Sequence, residues 1–385
     1  MAEESFYRKF RPTQLQTVVG QRVVVQSLLK AAKKERFAHA YLLTGPKGTG
    51  KTTVARIIAA LVTCPERKPN TEVACGKCRS CRGIHAGNFI DVYEIDAASE
   101  GGVDEVRELK KSTSYAPNTL KMKVYIIDEA HQLTPAANNA LLKVLEEPPP
   151  YVMFILCTTD PQKLLGTVVS RCQRHQLKRI DAQDIADRIK VVAEHEKIQL
   201  ETGVDLRIAK MAKGSMRDAY GILEQISIAT DNKVGITDIN TYYGQPEGRL
   251  IYSITKMILD KNVSGALLAS NECYLAGVDP KAVLMELSNV LADLLHIKGG
   301  VGDVLVQADL EEKKLLVTLA EKISQRTLVR IVGSLNKIER DITVNMNERL
   351  VLDAALINCI LIIQSDERPA TSPVNNVLAG TPVSQ

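Results

Sequence analysis

A chain of 385 residues with 45% apolar and 24% charged side chains predicts two or three globular domains and excludes a disordered polymer. With no Trp and 4% aromatic residues it argues against an aromatic platform for stacking bases, and no run approaches the ~18 apolar residues of a membrane span. The net charge of +4 is unevenly spread: residues 1–60 hold eleven Lys/Arg against three Asp/Glu, and residues 244–365 hold thirteen against fifteen. The first end suits a polyanion; the second suits contacts with protein.

The start, MAEESFYRKFRP, has no apolar signal core, which predicts a cytoplasmic protein. Strand-like apolar runs follow at His39–Thr44, Phe89–Asp96, Lys123–Asp128, Tyr151–Thr158 and His175–Ile180, with helical patterns between them. Strands alternating with helices predict a parallel sheet covered on both faces. Short helices with loops are expected from Ala182 to about Ala229, and longer amphipathic helices from about Arg249 to Gln364. In the last of these, Leu352, Ala355, Leu356, Cys359 and Ile363 recur at helical spacing and read as bundle core. The final stretch has three Pro and no charge after Arg368, the composition of a flexible tail.

The first predicted strand runs into Gly45-Pro46-Lys47-Gly48-Thr49-Gly50-Lys51-Thr52, a full GxxxxGK[ST] phosphate loop, and a helix beginning with Thr53 follows. Glycines let backbone N–H groups turn toward phosphate oxygens, and the helix N-terminus adds partial positive charge. This spacing assigns Lys51 to the β- and γ-phosphates of a bound nucleotide and Thr52 to Mg²⁺. The strand ending in Asp128-Glu129-Ala130-His131 supplies two carboxylates where open α/β sheets bind ligands. Asp128 is the expected second magnesium ligand, through water, and Glu129 the group that polarises the attacking water. His131 carries no expected role. Thr158-Thr159-Asp160 ends the next strand and either meets the γ-phosphate or caps a turn.

Cys64, Cys75, Cys78 and Cys81 have the spacing C-x10-C-x2-C-x2-C, which predicts one tetrahedral Zn²⁺. A reducing compartment argues against disulfides there, and four thiolates leave no open position, so the metal is expected to be structural. Arg171 in Ser170-Arg171-Cys172 and Arg217 in Gly214-Ser215-Met216-Arg217 are two cations that could face a γ-phosphate or equally sit in surface ion pairs.

Taken together these residues resemble the gamma/tau subunit family of bacterial DNA polymerase III, from Tyr7 to about Ile363. The motifs that carry the likeness are YRKFRP at 7–12, VVGQ at 18–21, GPKGTGKT, the cysteine insertion, DEAH, NNALLKVLEEPP at 138–149, TTDPQKL at 158–164, SRC, GSMRDA at 214–219 and ERLVLDAALI at 348–357. The resemblance implies a RecA-like AAA+ ATPase domain over residues 1–179 with a zinc module near 64–85. It further implies a helical lid over 180–243, a helical collar for oligomerisation over 244–365 and a tail over 366–385. It implies ATP, Mg²⁺ and Zn²⁺, and adds Val19 and Thr53 to the nucleotide-contacting residues. Thr159 matches the family's first sensor, Arg217 its lid sensor and Arg171 the finger that reaches ATP on a neighbouring subunit. Arg107 and Lys143 match positions that meet DNA phosphates, whereas Ser99-Glu100-Gly101-Gly102 lacks the basic residues usual there in some members.

The implied activity is an ATPase in the DNA polymerase III holoenzyme, a nucleotidyltransferase complex. It opens a sliding clamp and loads it on primer–template DNA, in a pentamer with delta, delta-prime and further gamma/tau copies and away from membranes. An end at Gln385 resembles a gamma-length product, natural or truncated. Two rival readings are a non-hydrolysing delta-prime-like subunit, disfavoured by the intact phosphate loop, and a DEAH helicase, disfavoured by the missing second RecA-like domain.

Overall fold

The computed structural model describes residues 4–100, 111–243, 248–306, 308, 310–341 and 347–367. The chain divides into two compact units, Met1–Ile236 and Thr237–Gln385. The expected parallel sheet lies in the first unit. Its strands are β1 (Ala40–Thr44), β2 (Val92–Asp96), β3 (Lys123–Asp128), β4 (Val152–Thr158) and β5 (Gln173–Gln176). They pair in the order β2-β3-β4-β1-β5, all parallel, with Leu43 beside Cys157 and Ile127 beside Leu156. This is the all-parallel sheet that the alternating strands and helices predicted.

Every residue of β1 and β4 is buried, which is why both read as unbroken apolar runs. Around the sheet lie α1 (Phe6–Lys9), α2 (Arg22–Lys33), α3 (Lys51–Thr63), α4 (Arg79–Ala86), α5 (Ala97–Glu100), α6 (Pro135–Glu146) and α7 (Gly166–Val169). One face of the sheet packs on α2, α3 and α4 through Leu28, Val54, Ile58 and Ile84. The other packs on α6 and α7 through Leu141, Leu145 and Val168. Helix α3 is apolar nearly all round because the sheet covers one side and α4 another.

Two strand expectations need correction. The run His175–Ile180 is not the last strand, which is Gln173–Gln176. It is a sheet edge, so His175 alone is buried and stacks on Tyr41, while its neighbours are exposed and leave no apolar run. Leu177 and Ile180 lie past its end, and Leu177 N–H still donates to Thr44 O at 2.7 Å. Likewise β2 starts at Val92 rather than Phe89. Asp91 just before it is buried and accepts N–H groups from Asn118, Thr119 and Leu120.

The first unit continues with α8 (Ala182–Glu196), β6 (Gln199–Leu200), α9 (Val204–Met211), α10 (Met216–Ala229) and β7 (Lys233–Val234), with α11 (Ile236–Tyr242) starting at the boundary between the units. Each of α8 and α10 opens with a side-chain cap: Asp181 accepts from Gln183 N and Ser215 from Asp218 N.

The second unit is helical. It comprises α12 (Gly248–Leu259), α13 (Val263–Leu275), α14 (Pro280–Lys298), α15 (Gly302–Leu305), α16 (Leu310–Glu321), α17 (Gln325–Asp341) and α18 (Glu348–Glu367). Leu352, Ala355, Leu356, Cys359 and Ile363 are all in its core, against Leu287, Leu291 and Ile331 among others. Helix α18 runs to Glu367, three residues past the expected end. Asp366 is therefore helical rather than part of a tail, held by Thr327 Oγ1 at 2.8 Å and by Arg330. Residues 368–385 lie outside the described residues, as does Arg107. Among the described residues no helix is long and apolar enough to cross a membrane.

Candidate functional site

Strand β1 delivers the chain into the loop Gly45–Gly50, whose Gly45, Gly48 and Gly50 all have positive φ. Two of these cannot carry a side chain for a second reason. A Cβ on Gly45 would stand 2.3 Å from Leu177 O, and one on Gly48 would stand 1.9 Å from Ser215 Oγ. The loop is thus pressed between the end of β5 and the start of α10, and Met216 N–H donates to Gly48 O at 3.1 Å.

Lys51 opens α3 with its side chain buried, and its ammonium donates to Gly45 O at 2.9 Å and Pro46 O at 3.0 Å. Burial pushes its pKa down, against the pull of Glu129, Cys157 and Asp128. Gly45 and Pro46 therefore hold the lysine, while Lys47, Gly48, Thr49, Gly50, Lys51, Thr52 and Thr53 line a cavity of about 720 Å³. Thr52 Oγ1 donates to Asp128 Oδ2 at 2.6 Å, and Glu129 N–H donates to Asp128 Oδ1 at 2.9 Å. A hydroxyl and a carboxylate meeting beside a phosphate loop are oxygen donors suited to Mg²⁺, so the residues present fit that ion.

Glu129 follows in the left-handed region, φ 44°, unusual for a residue with a side chain. Its Oε2 accepts from Thr159 Oγ1 at 3.0 Å and faces His131 Nδ1 at 3.4 Å. Thr159 is thus joined to the carboxylate. The capping alternative falls to Asp160, whose Oδ1 accepts from Gln162 N.

The N-terminal segment forms the opposite wall, with Tyr7, Arg11, Val18 and Val19 lining the cavity. Arg217 also lines it, with its guanidinium 5.0 Å from the Tyr7 ring centroid, a cation–π contact. Arg56 forks onto Glu94 at 2.7 and 2.8 Å and also donates to His85 O at 3.0 Å. Burial, and then Arg56, lower the pKa of Arg11. Cations outnumber carboxylates around this opening, which favours a polyanionic ligand.

Arg171 and Lys143 stand apart from the cavity. Arg171 pairs with Glu146 at 2.7 Å on the surface and donates to Thr167 O, and Lys143 is exposed on α6. Within its own chain, then, Arg171 is the surface ion pair that its sequence context allowed.

The four cysteines converge, with all their sulfurs within 4.8 Å of one another. Cys75 and Cys81 Sγ are 3.9 Å apart, close to the ~3.8 Å edge of a tetrahedron with 2.3 Å zinc–sulfur bonds. Main-chain N–H groups of Cys75, Cys78 and Cys81 point at Cys64, Cys75 and Cys78 sulfurs, which stabilises thiolates. Burial opposes ionisation of Cys78, but Ser80 and the Cys81 amide, with the neighbouring thiols, bring its pKa down to about 7. The cluster is compatible with zinc. Cys64 caps the end of α3 and Cys78 caps the start of α4.

Sequence reasoning missed two contacts. Gln21 is buried and grips Lys178 through both its main-chain groups, at 2.8 and 3.0 Å. His131 Nδ1 lies 3.0 Å from Thr158 Oγ1. The letters VGQ and DEAH were visible, but the partners are more than twenty residues away in the chain.

Residues 20–181 match a family model described as DNA polymerase III, delta subunit, and residues 236–370 match one described as DNA polymerase III subunits gamma and tau domain III. The tau subunit of DNA polymerase III from Bacillus subtilis is 39% identical over 93% of this chain and 63% of its own length. The gamma subunit from Buchnera aphidicola subsp. Schizaphis graminum is 33% identical over 76% of this chain and 80% of its own length. The tau subunit of Escherichia coli is 34% identical over 83% of this chain but only 50% of its own. The chain thus spans less than two thirds of the length of the tau relatives. A mostly covered gamma subunit and a second unit that matches the gamma and tau domain lead to one assignment: the chain belongs to the gamma/tau family of DNA polymerase III subunits.

Proposed function

We propose that this chain is an ATP-hydrolysing subunit of the DNA polymerase III clamp loader, opening the sliding clamp and placing it on primer–template DNA in the cytoplasm. The observation that carries the reading is the junction of Lys51, Thr52 and Asp128 at one end of the sheet, with Thr52 and Asp128 2.6 Å apart. Lys51 would hold the β- and γ-phosphates, and the N–H groups of Gly48 to Thr53 would cradle them. Thr52 and Asp128 would hold Mg²⁺, which when bound neutralises charge on the β- and γ-oxygens. Val19 with Tyr7 would flank the base, and Arg217 would move from the Tyr7 ring toward the phosphates as the lid closes.

In the reaction a water oxygen bonds to the γ-phosphorus, the bond to the β–γ bridging oxygen breaks, and that oxygen leaves on ADP. Glu129 orients the water, and the proton it sheds ends on phosphate or solvent. Thr159 would bind the γ-phosphate or this water. Arg171 would act in a neighbouring copy, and its exposed position outside its own chain's cavity supports that. Arg107 and Lys143 are proposed DNA contacts to phosphate, so DNA binding should weaken with salt and ignore sequence.

The proposed partners are delta, delta-prime and further gamma/tau copies in a pentamer within the holoenzyme, a nucleotidyltransferase complex. The proposed domains are the ATPase domain (1–179), lid (180–243), collar (244–367, with the helical end of α18 included) and tail (368–385). Cys64, Cys75, Cys78 and Cys81 would hold a structural Zn²⁺.

The test is ATP turnover by the chain mixed with clamp, primed DNA and the remaining loader subunits. Lys51→Ala should abolish ATP binding. Arg171→Ala should retain binding but lose DNA-stimulated turnover. Wild-type protein that binds no ATP would end this reading, and normal turnover by Arg171→Ala would end the trans-acting role.

A further inference from the structure

We infer that His131 is a positioning residue for Glu129, tying the carboxylate that orients the attacking water to the end of β4. The inference rests on the ATPase reading above and deepens it.

His131 sits on a single 3-10 turn, Ala130–Gln132, directly after Glu129. Its side chain is 12% exposed, and Nδ1 lies 3.0 Å from Thr158 Oγ1 and 3.4 Å from Glu129 Oε2. Thr158 is fully buried, and its Oγ1 also accepts from Asp160 N–H at 3.1 Å. One ring nitrogen therefore stands between the water-orienting carboxylate and the end of the strand that leads into Thr159.

The proton on that nitrogen follows from its partners. An ionised carboxylate only accepts hydrogen bonds, so a lone pair on Nδ1 facing Glu129 Oε2 would repel it. Thr158 Oγ1 can accept or donate. The arrangement that suits all three groups puts the proton on Nδ1, donated to Thr158 Oγ1 with its positive edge toward Glu129 Oε2.

The consequence concerns what holds Glu129 during turnover. In the structure its Oε2 has Thr159 Oγ1 at 3.0 Å, the Thr159 amide at 3.4 Å and His131 Nδ1 at 3.4 Å. If Thr159 turns its hydroxyl toward the γ-phosphate or the water, that donor leaves the carboxylate. His131 then still faces the carboxylate, its Nδ1 at 3.4 Å. Glu129 also sits at φ 44°, so its backbone is in a sparsely populated conformation that its surroundings must maintain. A donor anchored on buried Thr158 supplies that restraint and does not touch the phosphate loop. Loss of His131 should therefore slow the chemical step and spare ATP binding.

The experiment compares wild type with His131→Ala, His131→Asn and His131→Gln in the assembled loader. It reads kcat, KM, equilibrium ATP binding and thermal midpoint. The Asn amide can place a donor where Nδ1 stands, and the longer Gln amide reaches past it. His131→Ala is expected to lower kcat by about 10- to 100-fold, the scale for removing a partner that orients an active group. ATP affinity should stay within about twofold, and His131→Asn should recover most of kcat where His131→Gln does not. Wild-type kcat in His131→Ala overturns the inference. So does a parallel fall in kcat, ATP affinity and thermal midpoint without rescue by Asn, which is the behaviour of a structural strut. A wild-type loader that binds no ATP would instead sink the ATPase reading beneath it.

Discussion

The two ends of helix α3 carry two different kinds of site. At its start, Lys51 and Thr52 face an open cavity built from glycines, backbone amides and cations. At its end, Cys64 joins three other sulfurs in a closed cluster. Thirteen residues separate a place shaped for a ligand that enters and leaves from one shaped for an ion that stays. The difference lies in the donors. Four thiolates complete a tetrahedron and leave nothing for a substrate, whereas the phosphate loop lines an open cavity with Lys51 and backbone groups suited to a polyanion. Helix α4 joins the two sites physically. Cys78 caps its start, and near its far end His85 O receives Arg56, while His85 and Ala86 line the cavity at the start of α3.

Removing the metal should have the largest effect. Chelation, or Cys81→Ser, is expected to melt the loop 64–78 and loosen α4, since binding of the proposed zinc there would be folding free energy. Bound zinc per chain and the thermal midpoint check this, with a fall of several degrees expected. If the ends of α3 are coupled through α4, ATP affinity should also fall, by about three- to tenfold. Unchanged affinity after complete zinc loss would show that the two ends are independent.

Gly48→Ala should come next, acting on the open end alone. Its φ of 75° and the 1.9 Å approach to Ser215 Oγ make any side chain strained, at a cost of about 1–3 kcal/mol. Weaker ATP binding with full zinc content is the expected result from calorimetry. Adding Ser215→Gly should recover part of the loss, because it removes the clash but not the left-handed backbone.

The smallest effect should come from Asp91, which belongs to neither end. Burial would raise its pKa, but the N–H groups of Asn118, Thr119 and Leu120 and the Thr119 hydroxyl outweigh burial and hold it below the ordinary value. A depressed carboxyl stabilises the fold above its unfolded pKa of about 3.9, and that contribution is lost as pH falls through the folded value. Asp91→Asn should be less stable at neutral pH and show a shallower loss of stability below about pH 4 in acid titrations followed by circular dichroism. An unchanged acid limb would mean that other carboxylates dominate it.

The phosphate loop and the cysteines were legible because each function is written within a few residues: glycine spacing sets the turn and C-x2-C spacing sets the sulfur positions. The buried strands were legible because full burial leaves an apolar run. The edge strand Gln173–Gln176 was not, since only His175 faces inward. Asp366 looked like tail for a related reason: its charge is matched by Arg330 and Thr327 from another helix. His131 and Gln21 took meaning only from partners on distant strands and loops.

By itself, then, the order of residues determined which chemistry is available: a phosphate loop, a carboxylate pair, four clustered thiols and a helical second half. These depend on local spacing and on the periodicity of apolar side chains, which any reader of the chain can see. Tertiary structure alone decided that Arg217 rests on Tyr7, that Arg171 stays outside its own cavity, and that His131 stands between Glu129 and Thr158. Those relations arise when a parallel sheet brings strands far apart in the chain side by side, and their distances follow from packing rather than from spacing along the backbone.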